Sequence, residues 1–257
     1  MWPFFLWITG GVLAVAVIAI KQDARWGKMI FHIEEEVFEK VDNYCVGIVV
    51  ARGLDNTKPL KSPVLQEVLE QSGKDLAGVN VKQMPEVICF REAFKKVGIN
   101  PNRYMPSTEA LFSRICKGQG LPSISPVVDL SNSVSIKNRI PIGTHDLGTF
   151  QDALTVRFTR PGDTFVPFGG EGMEEPDSGE IVFISGHEIR TRRWLWRQSE
   201  IGKITEQTTD VFFPIDGFTD VNKDAILQAR DELAEELQAY FGCQAETGFV
   251  DKNSPGF

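Results

Sequence analysis

Apolar residues recur along this chain in two rhythms. The run Cys45-Val46-Gly47-Ile48-Val49-Val50-Ala51 is short, continuous and β-branched, which predicts a buried strand, and Met29-Ile30-Phe31-His32-Ile33 predicts another before it. A helical rhythm follows. Ser62-Pro63 reads as a cap with proline in the first turn, Val64, Leu65, Val68 and Leu69 form one stripe, and Gly73 reads as the stop. Residues 85–98 predict a helix with Val87, Phe90, Phe94 and Val97 inward and Arg91, Lys95 and Lys96 on the other face. Ser107 or Thr108 opens a third helix that buries Leu111, Phe112 and Ile115 and ends at Gly118. Between these two, Arg103 and Tyr104 sit in a turn bounded by Pro101 and Pro106. From Pro126 a further helix carries Val127, Leu130 and Val134 on one face and Asp129, Asn132 and Ser133 on a second. So little exposed charge implies a buried helix whose polar face needs partners, either backbone or a ligand.

The second half reads mainly as strands, at 153–158, 164–168 and 180–184, with Ser185-Gly186-His187-Glu188 as a hairpin turn. The returning strand, 189–198, carries an unusual pattern. With period two, Arg190, Arg192, Trp194, Trp196 and Gln198 share one side, and Arg193 and Arg197 lie on the other. Indoles beside guanidiniums suit base stacking and phosphate contact. The competing reading is that Trp194 and Trp196 fill a core while the arginines bridge to the acids of 171–180. A buried strand at 208–217 and an amphipathic helix at 220–241 follow, with Gly242 as the helix stop and 243–257 read as a flexible tail.

The amino terminus obeys neither rhythm. Residues 2–20 contain no charge and as a helix would span about 28 Å, the depth of a bilayer core. Lys21, Arg25 and Lys28 all follow the apolar run, which would put the body of the chain on the cytoplasmic side. Residues 1–28 are therefore read as a membrane anchor or, alternatively, as an upstream extension of the reading frame. The body in either case is expected to be cytoplasmic.

Charge refines the picture. Over 257 residues, 27 Lys and Arg against 35 Asp and Glu give a net charge of -8, which argues against a uniformly basic nucleic-acid binder. The distribution is uneven. Residues 89–139 hold 8 basic and 3 acidic side chains and residues 190–203 hold 5 and 1, so two basic islands stand in an acidic chain. Cys45, Cys89, Cys116 and Cys243 are widely spaced, and His32, His145 and His187 complete no zinc pattern with them. Neither a metal nor a cofactor is expected.

The segments Val127-Val128-Asp129-Leu130-Ser131-Asn132-Ser133-Val134 through Pro141-Ile142-Gly143-Thr144-His145-Asp146, and Ser199-Glu200 to Thr205-Glu206-Gln207-Thr208-Thr209-Asp210-Val211, carry a family likeness. The chain resembles the tRNA-editing B3/B4 domain of the phenylalanine–tRNA ligase beta chain, in its free-standing version, over about residues 29–242. The resemblance implies an α+β fold, with mixed strands in a barrel-like β core and helices packed around it. It also implies hydrolysis of an aminoacyl ester on tRNA, by a positioned water and oxyanion donors rather than a strong nucleophile. Two departures stand out. The ligase module has a histidine where this chain has Gly143 and a glutamate where it has Pro214. His145 and Asp216 lie two residues downstream of each, on the same face of an extended strand, and are offered as catalytic stand-ins.

The other assignments under that resemblance are Trp194, Trp196, Arg197 and Gln198 for the pocket and the terminal adenosine. Asp129 and Asn132 are assigned to the amino acid's ammonium or its orientation. Arg91, Lys95, Arg103, Arg190 and Arg192 are assigned to tRNA. The expected partner is tRNA or aminoacyl-tRNA. A non-catalytic RNA-binding module and a pocket for a small free ester remain as alternatives.

Overall fold

The computed structural model describes residues 29–60, 63–170 and 172–257. The leader 1–28, with the spanning helix expected at 2–20, lies outside the described residues, and so does the expected cap at Ser62. No helix among the described residues is long and apolar enough to cross a membrane.

The chain folds as mixed α+β. The strand β1 (Phe31–Ile33) leads through a short helix α1 (Glu35–Lys40) into β2 (Tyr44–Arg52), and four helices follow: α2 (Val64–Asp75), α3 (Pro85–Lys96), α4 (Ser107–Cys116) and α5 (Pro126–Asn138). The strands β3 (His145–Asp146), β4 (Leu154–Phe158), β5 (Ile181–Ser185), β6 (Glu188–Arg192), β7 (Arg197–Gln198) and β8 (Val211–Phe218) come next. The helix α6 (Lys223–Phe241) and the strand β9 (Gln244–Asp251) close the chain. Proline at the first turn of α3 and α5 is spent where the backbone N–H has no partner to lose. Gly73 lies inside α2 and does not end it. Residues 164–168 contribute isolated bridges, such as Phe165 with Glu174 and Pro167 with Ser199, where a regular strand was expected.

Two separate sheets replace the barrel-like core that the resemblance implied. One has the order β1-β4-β5-β6-β7 and the other β3-β8-β2-β9, so each keeps two edge strands and neither closes on itself. The expected tail is also corrected. Residues 244–251 run antiparallel to β2 along all of it but Tyr44, from Cys45 opposite Asp251 to Arg52 opposite Gln244. The last residue, Phe257, exchanges backbone hydrogen bonds with Phe31 and joins the two sheets at one corner. The reason is that β2 is apolar on both faces and its backbone needs a ladder on both sides.

That double burial divides the core in two. Val46, Ile48 and Val50 point into a cluster with Phe31, Phe183, Trp194 and Phe212, drawn from both sheets. The alternate residues Cys45, Val49 and Ala51 meet Val127, Leu130, Ile226 and Leu233 of α5 and α6 on the other face. At Gly47 a Cβ would stand 2.6 Å from Ile226 Cγ2, so the missing side chain sets how closely α6 rests on the sheet.

Candidate functional site

The helix α5, the extended segment before β3, the strand β8 and the hairpin between β6 and β7 enclose a cavity of about 260 Å³. Its first wall is sheet-like. Ile142 bridges to Ile215, Gly143 N donates to Pro214 O at 2.8 Å and Asp216 N donates to Pro141 O at 3.2 Å. Residues two apart on such a ribbon share a face, so Pro141, Gly143 and His145 line the cavity together with Pro214 and Asp216. His145 and Asp216 both line it, as do Ile142 and Thr144 of the alternate positions. Gly143 and Pro214 also fit each other. A Cβ at 143 would lie 2.9 Å from Pro214 Cγ and 3.3 Å from His145 Nε2, so the proline ring occupies the room that a side chain at 143 would need.

The two titratable groups of this wall are both buried. Asp216 accepts a hydrogen bond on Oδ1 from the hydroxyl of Tyr44, and burial pushes its carboxyl up to about 7. Burial and the neighbouring Asp216 carboxylate together hold the Tyr44 phenol well above its ordinary value. His145 packs against Phe183 with ring centroids 6.1 Å apart, and its Nδ1 has no hydrogen-bond partner. Burial, with the positive charge of Arg190 nearby, lowers its imidazole to about 3, so it is neutral at physiological pH. The neutral imidazole and the carboxyl poised near 7 line the same cavity, with His145 opposite Phe212 and Asp216 opposite Pro141 on the ribbon.

The second wall is the hairpin, and it corrects the expected ten-residue strand. The chain leaves β6 after Arg192 because Arg193 and Trp194 take positive φ values of 46° and 62°. Such conformations cost non-glycine residues about 1–3 kcal/mol each and persist only when the surroundings enforce them. Here Arg193 N donates to Glu180 Oε1 at 2.9 Å, Trp194 N donates to Ile181 O at 2.7 Å, and the Trp194 side chain is fully buried. Period two therefore breaks within the segment. Trp194, Trp196, Arg197 and Gln198 line the cavity, and Gln198 Nε2 donates to Thr144 O at 2.7 Å, tying the hairpin to the first wall.

The helix α5 supplies the third side. Val128 and Asn132, one turn apart, face the cavity, and the Asn132 amide has no hydrogen-bond partner among the described residues. Asp129 is on a different face. It accepts from Ser123 Oγ and from Ile124 N at 2.9 Å, which makes it a cap for the approach to α5 and removes it from the cavity. Tyr44, whose hydroxyl holds Asp216, was not singled out by sequence. It stands 172 residues away along the chain and nothing local marks it.

Most of the basic residues assigned to tRNA are spoken for. Arg190 is fully buried, donating to Thr149 O at 2.7 Å and to Glu188 Oε2 at 3.1 Å, so it cannot meet a phosphate. Arg192 is buried against Glu180 at 2.9 Å and Glu174 at 2.9 Å, as the competing reading of this strand had it. Arg91 pairs at 2.7 Å with the fully buried Glu109 and also donates to Pro101 O, stapling α3 to the start of α4. Its first duty is structural, which corrects its assignment to phosphate. Lys95 is exposed and pairs with Glu92 on its own helix. Arg103 is exposed, with its guanidinium 5.0 Å from the Tyr104 ring. Among the described residues, no three His, Cys, Asp or Glu side chains are grouped to hold a metal ion.

The family model of the B3/4 domain matches residues 89–242, which contain α5, both cavity walls and α6. A stretch of 51 residues is 41% identical to the phenylalanine–tRNA ligase beta subunit of Mycobacterium leprae (strain TN), covering 20% of this chain and 6% of that subunit. The crystal structure of an N-terminal fragment of the phenylalanyl-tRNA synthetase beta-subunit from Pyrococcus horikoshii aligns with 84% of this chain and 49% of its own, with a TM-score of 0.43 and 12% identity. The chain thus spans a small part of the ligase subunit and about half of that fragment. With 154 of its 257 residues under one family model, the chain belongs to the B3/4 domain family.

Proposed function

We propose that this chain binds charged tRNA and hydrolyses the ester between the amino acid and the terminal ribose, acting in trans on tRNAs charged elsewhere. The observation that carries the reading is the joint presence of Asp216, His145 and Asn132 in one cavity. In its ionised form Asp216, oriented by Tyr44, takes a proton from a water in the cavity, and neutral His145 lines the same cavity further along the ladder. The water oxygen attacks the ester carbonyl, and the unpartnered Asn132 amide donates to the oxygen that becomes negative. The tetrahedral intermediate then expels the ribose oxygen, which receives the proton, leaving a free amino acid and an uncharged tRNA. Gln198, with its Nε2 held by Thr144 O, keeps its Oε1 as an acceptor for the α-ammonium.

Deacylation of a panel of correctly and wrongly charged tRNAs tests this directly. Cleavage of at least one charged tRNA is expected, rising as the pH passes about 7, where Asp216 ionises. Asp216→Asn and His145→Ala should each lose about 100-fold or more of the rate. Unchanged rates in both variants would remove these residues from the chemistry.

A second reading, a hydrolase of small free esters, is favoured by the internal pairing of Arg91, Arg190 and Arg192, which leaves few cations for phosphate. Salt separates the two. Phosphate contacts release counterions and weaken steeply as ionic strength rises, whereas hydrolysis of a free ester should be nearly indifferent to it.

A further inference from the structure

A neutral imidazole carries a proton on one ring nitrogen and a lone pair on the other, and at His145 that choice decides whether the cavity meets a donor or an acceptor. The two nitrogens look different ways. Nε2 lies on the side of Gly143, where a Cβ would stand 3.3 Å from it, and Gly143 lines the cavity. Nδ1 is buried in the interior, without a hydrogen-bond partner among the described residues.

The charge acting on this ring is that of Arg190. Three residues of β6, Ile189, Arg190 and Thr191, stand against two of β5, Phe183 and Ile184, which makes Arg190 the extra residue of a bulge. Such an insertion re-aims a side chain, and this one reaches the segments that flank β3. Its Nη2 donates to Thr149 O at 2.7 Å and to Glu188 Oε2 at 3.1 Å, and Thr149 Oγ1 donates to Asp146 O at 2.7 Å. A Cβ on Gly202, whose carbonyl accepts from Asp146 N, would lie 3.1 Å from Arg190 Nη1. The guanidinium is fully buried, yet its Nε and Nη1 have no partner among the described residues. Buried N–H groups without an acceptor are uncommon in folded proteins. Unpartnered donors and an unpartnered ring nitrogen thus lie at the same two-residue strand.

A guanidinium can only donate. A proton on Nδ1 would set donor against donor, whereas a lone pair there is favoured by the positive charge and can accept through one water that takes a bond from the guanidinium and gives one to the ring. We infer that Arg190 holds His145 as the Nε2–H tautomer, so that the imidazole is a hydrogen-bond donor to the ligand of the cavity. Arg190 is then a positioning residue. His145 takes no proton from water, and that task is left to Asp216. The inference rests on the ester-hydrolysis reading only for the acceptor, which is then an oxygen of the ester.

Long-range 1H–15N correlation spectra of the full chain, labelled with 15N-histidine at neutral pH, read the tautomer, and the His145 signals are those that His145→Gln removes. One ring nitrogen should show the shift of a protonated nitrogen and couple to both ring carbon protons, which marks it as Nε2, and the other should show the shift of a bare one. Arg190→Met, which keeps length but loses the charge and the donors, should draw the two shifts toward each other as the Nδ1–H form becomes populated. Arg190→Lys should restore part of the separation. Thermal unfolding shows whether each variant is folded; should Arg190→Met not fold, a nuclear Overhauser contact between the Arg190 Nε proton and the His145 ring in the unaltered chain takes its place. A proton on Nδ1 in the unaltered chain overturns the inference, as does an unchanged pair of shifts in folded Arg190→Met or the absence of that contact. An Nε2–H ring with no hydrolysis of any charged tRNA would leave the tautomer standing and remove the ester reading. Hydrolysis with the proton on Nδ1 would do the reverse.

Discussion

The two walls of the cavity are built on opposite physical terms. The sheet wall, from Pro141 to His145 and along β8, is regular extended backbone whose side chains alternate, and it holds its polar groups buried. The hairpin wall holds two residues in left-handed conformations, and its outer part is a packing of rings and guanidiniums, half open to solvent. Stiffness at the first wall comes from a ladder of backbone hydrogen bonds. At the second it comes from one buried indole and a few carboxylates, chiefly Glu180 and Asp177, that hold a strained turn in place. The site thus keeps its titratable groups on a ladder-bonded frame and its rings on a hairpin with further anchors in Glu180 and Asp177, the two joined by Gln198 and Thr144.

The comparison is most severely tested at Trp194. This side chain is fully buried among Tyr44, Phe94 and Phe218 and lies at the bend of the hairpin. Trp194→Ala should cost about 3–5 kcal/mol in denaturant unfolding. If the anchor idea is right, it should also expose the 192–198 backbone to hydrogen exchange ahead of β8. Equal protection of both walls in the variant would contradict the claim that the hairpin has an anchor of its own beside the Gln198–Thr144 tie.

A smaller effect belongs to the sheet wall and depends on pH. Asp216 keeps its proton in the fold up to about 7 but loses it near the ordinary 3.8 when unfolded, so its contribution is full at low pH and is lost as pH rises through that interval. His145 takes up a proton near 3 in the fold and near 6.5 when unfolded, so its contribution runs the other way and is lost as pH falls. Each slope is about 1.4 kcal/mol per pH unit, and between about pH 4 and 6.5 they oppose each other. Asp216→Asn should therefore leave the His145 slope bare, with stability climbing across that range, and His145→Phe should leave a falling one. Parallel stability curves for the unaltered chain and Asp216→Asn would mean that the carboxyl is already ionised in the fold.

The smallest change sharpens the fit within the sheet wall. Gly143→Ala pushes a Cβ to 2.9 Å from Pro214 Cγ and should destabilise by about 1–3 kcal/mol. Most of that cost should vanish in the background of Pro214→Ala, because the two positions share one space. Additive costs in the double-mutant cycle would show that the clash is relieved elsewhere.

The sequence by itself determined the helices and strands whose signals are local. Pro85 and Pro126 mark helix starts, Gly242 marks the end of α6, and the β-branched run of β2 needs burial wherever it goes. It also determined that Gly143 and His145, and likewise Pro214 and Asp216, face one way, since period two follows from backbone geometry alone. What required the tertiary structure was every question of who pays for a charge or a ladder. Arg190, Arg192 and Arg193 are chemically alike along the chain, and only the arrival of Thr149 O, Glu180 and Asp177 from other segments makes them internal braces. The last residues look like a polar tail until β2 offers an unpaired edge for Gln244–Asp251 to complete. Asp129 and Asn132 sit three residues apart on one helix, yet the turn at Ser123 and Ile124 takes the first and leaves the second to the cavity. The reason is common to all three: periodicity says which way a side chain points, but the partner it finds there is chosen by segments far away in the chain, and a buried polar group stays only where such a partner arrives.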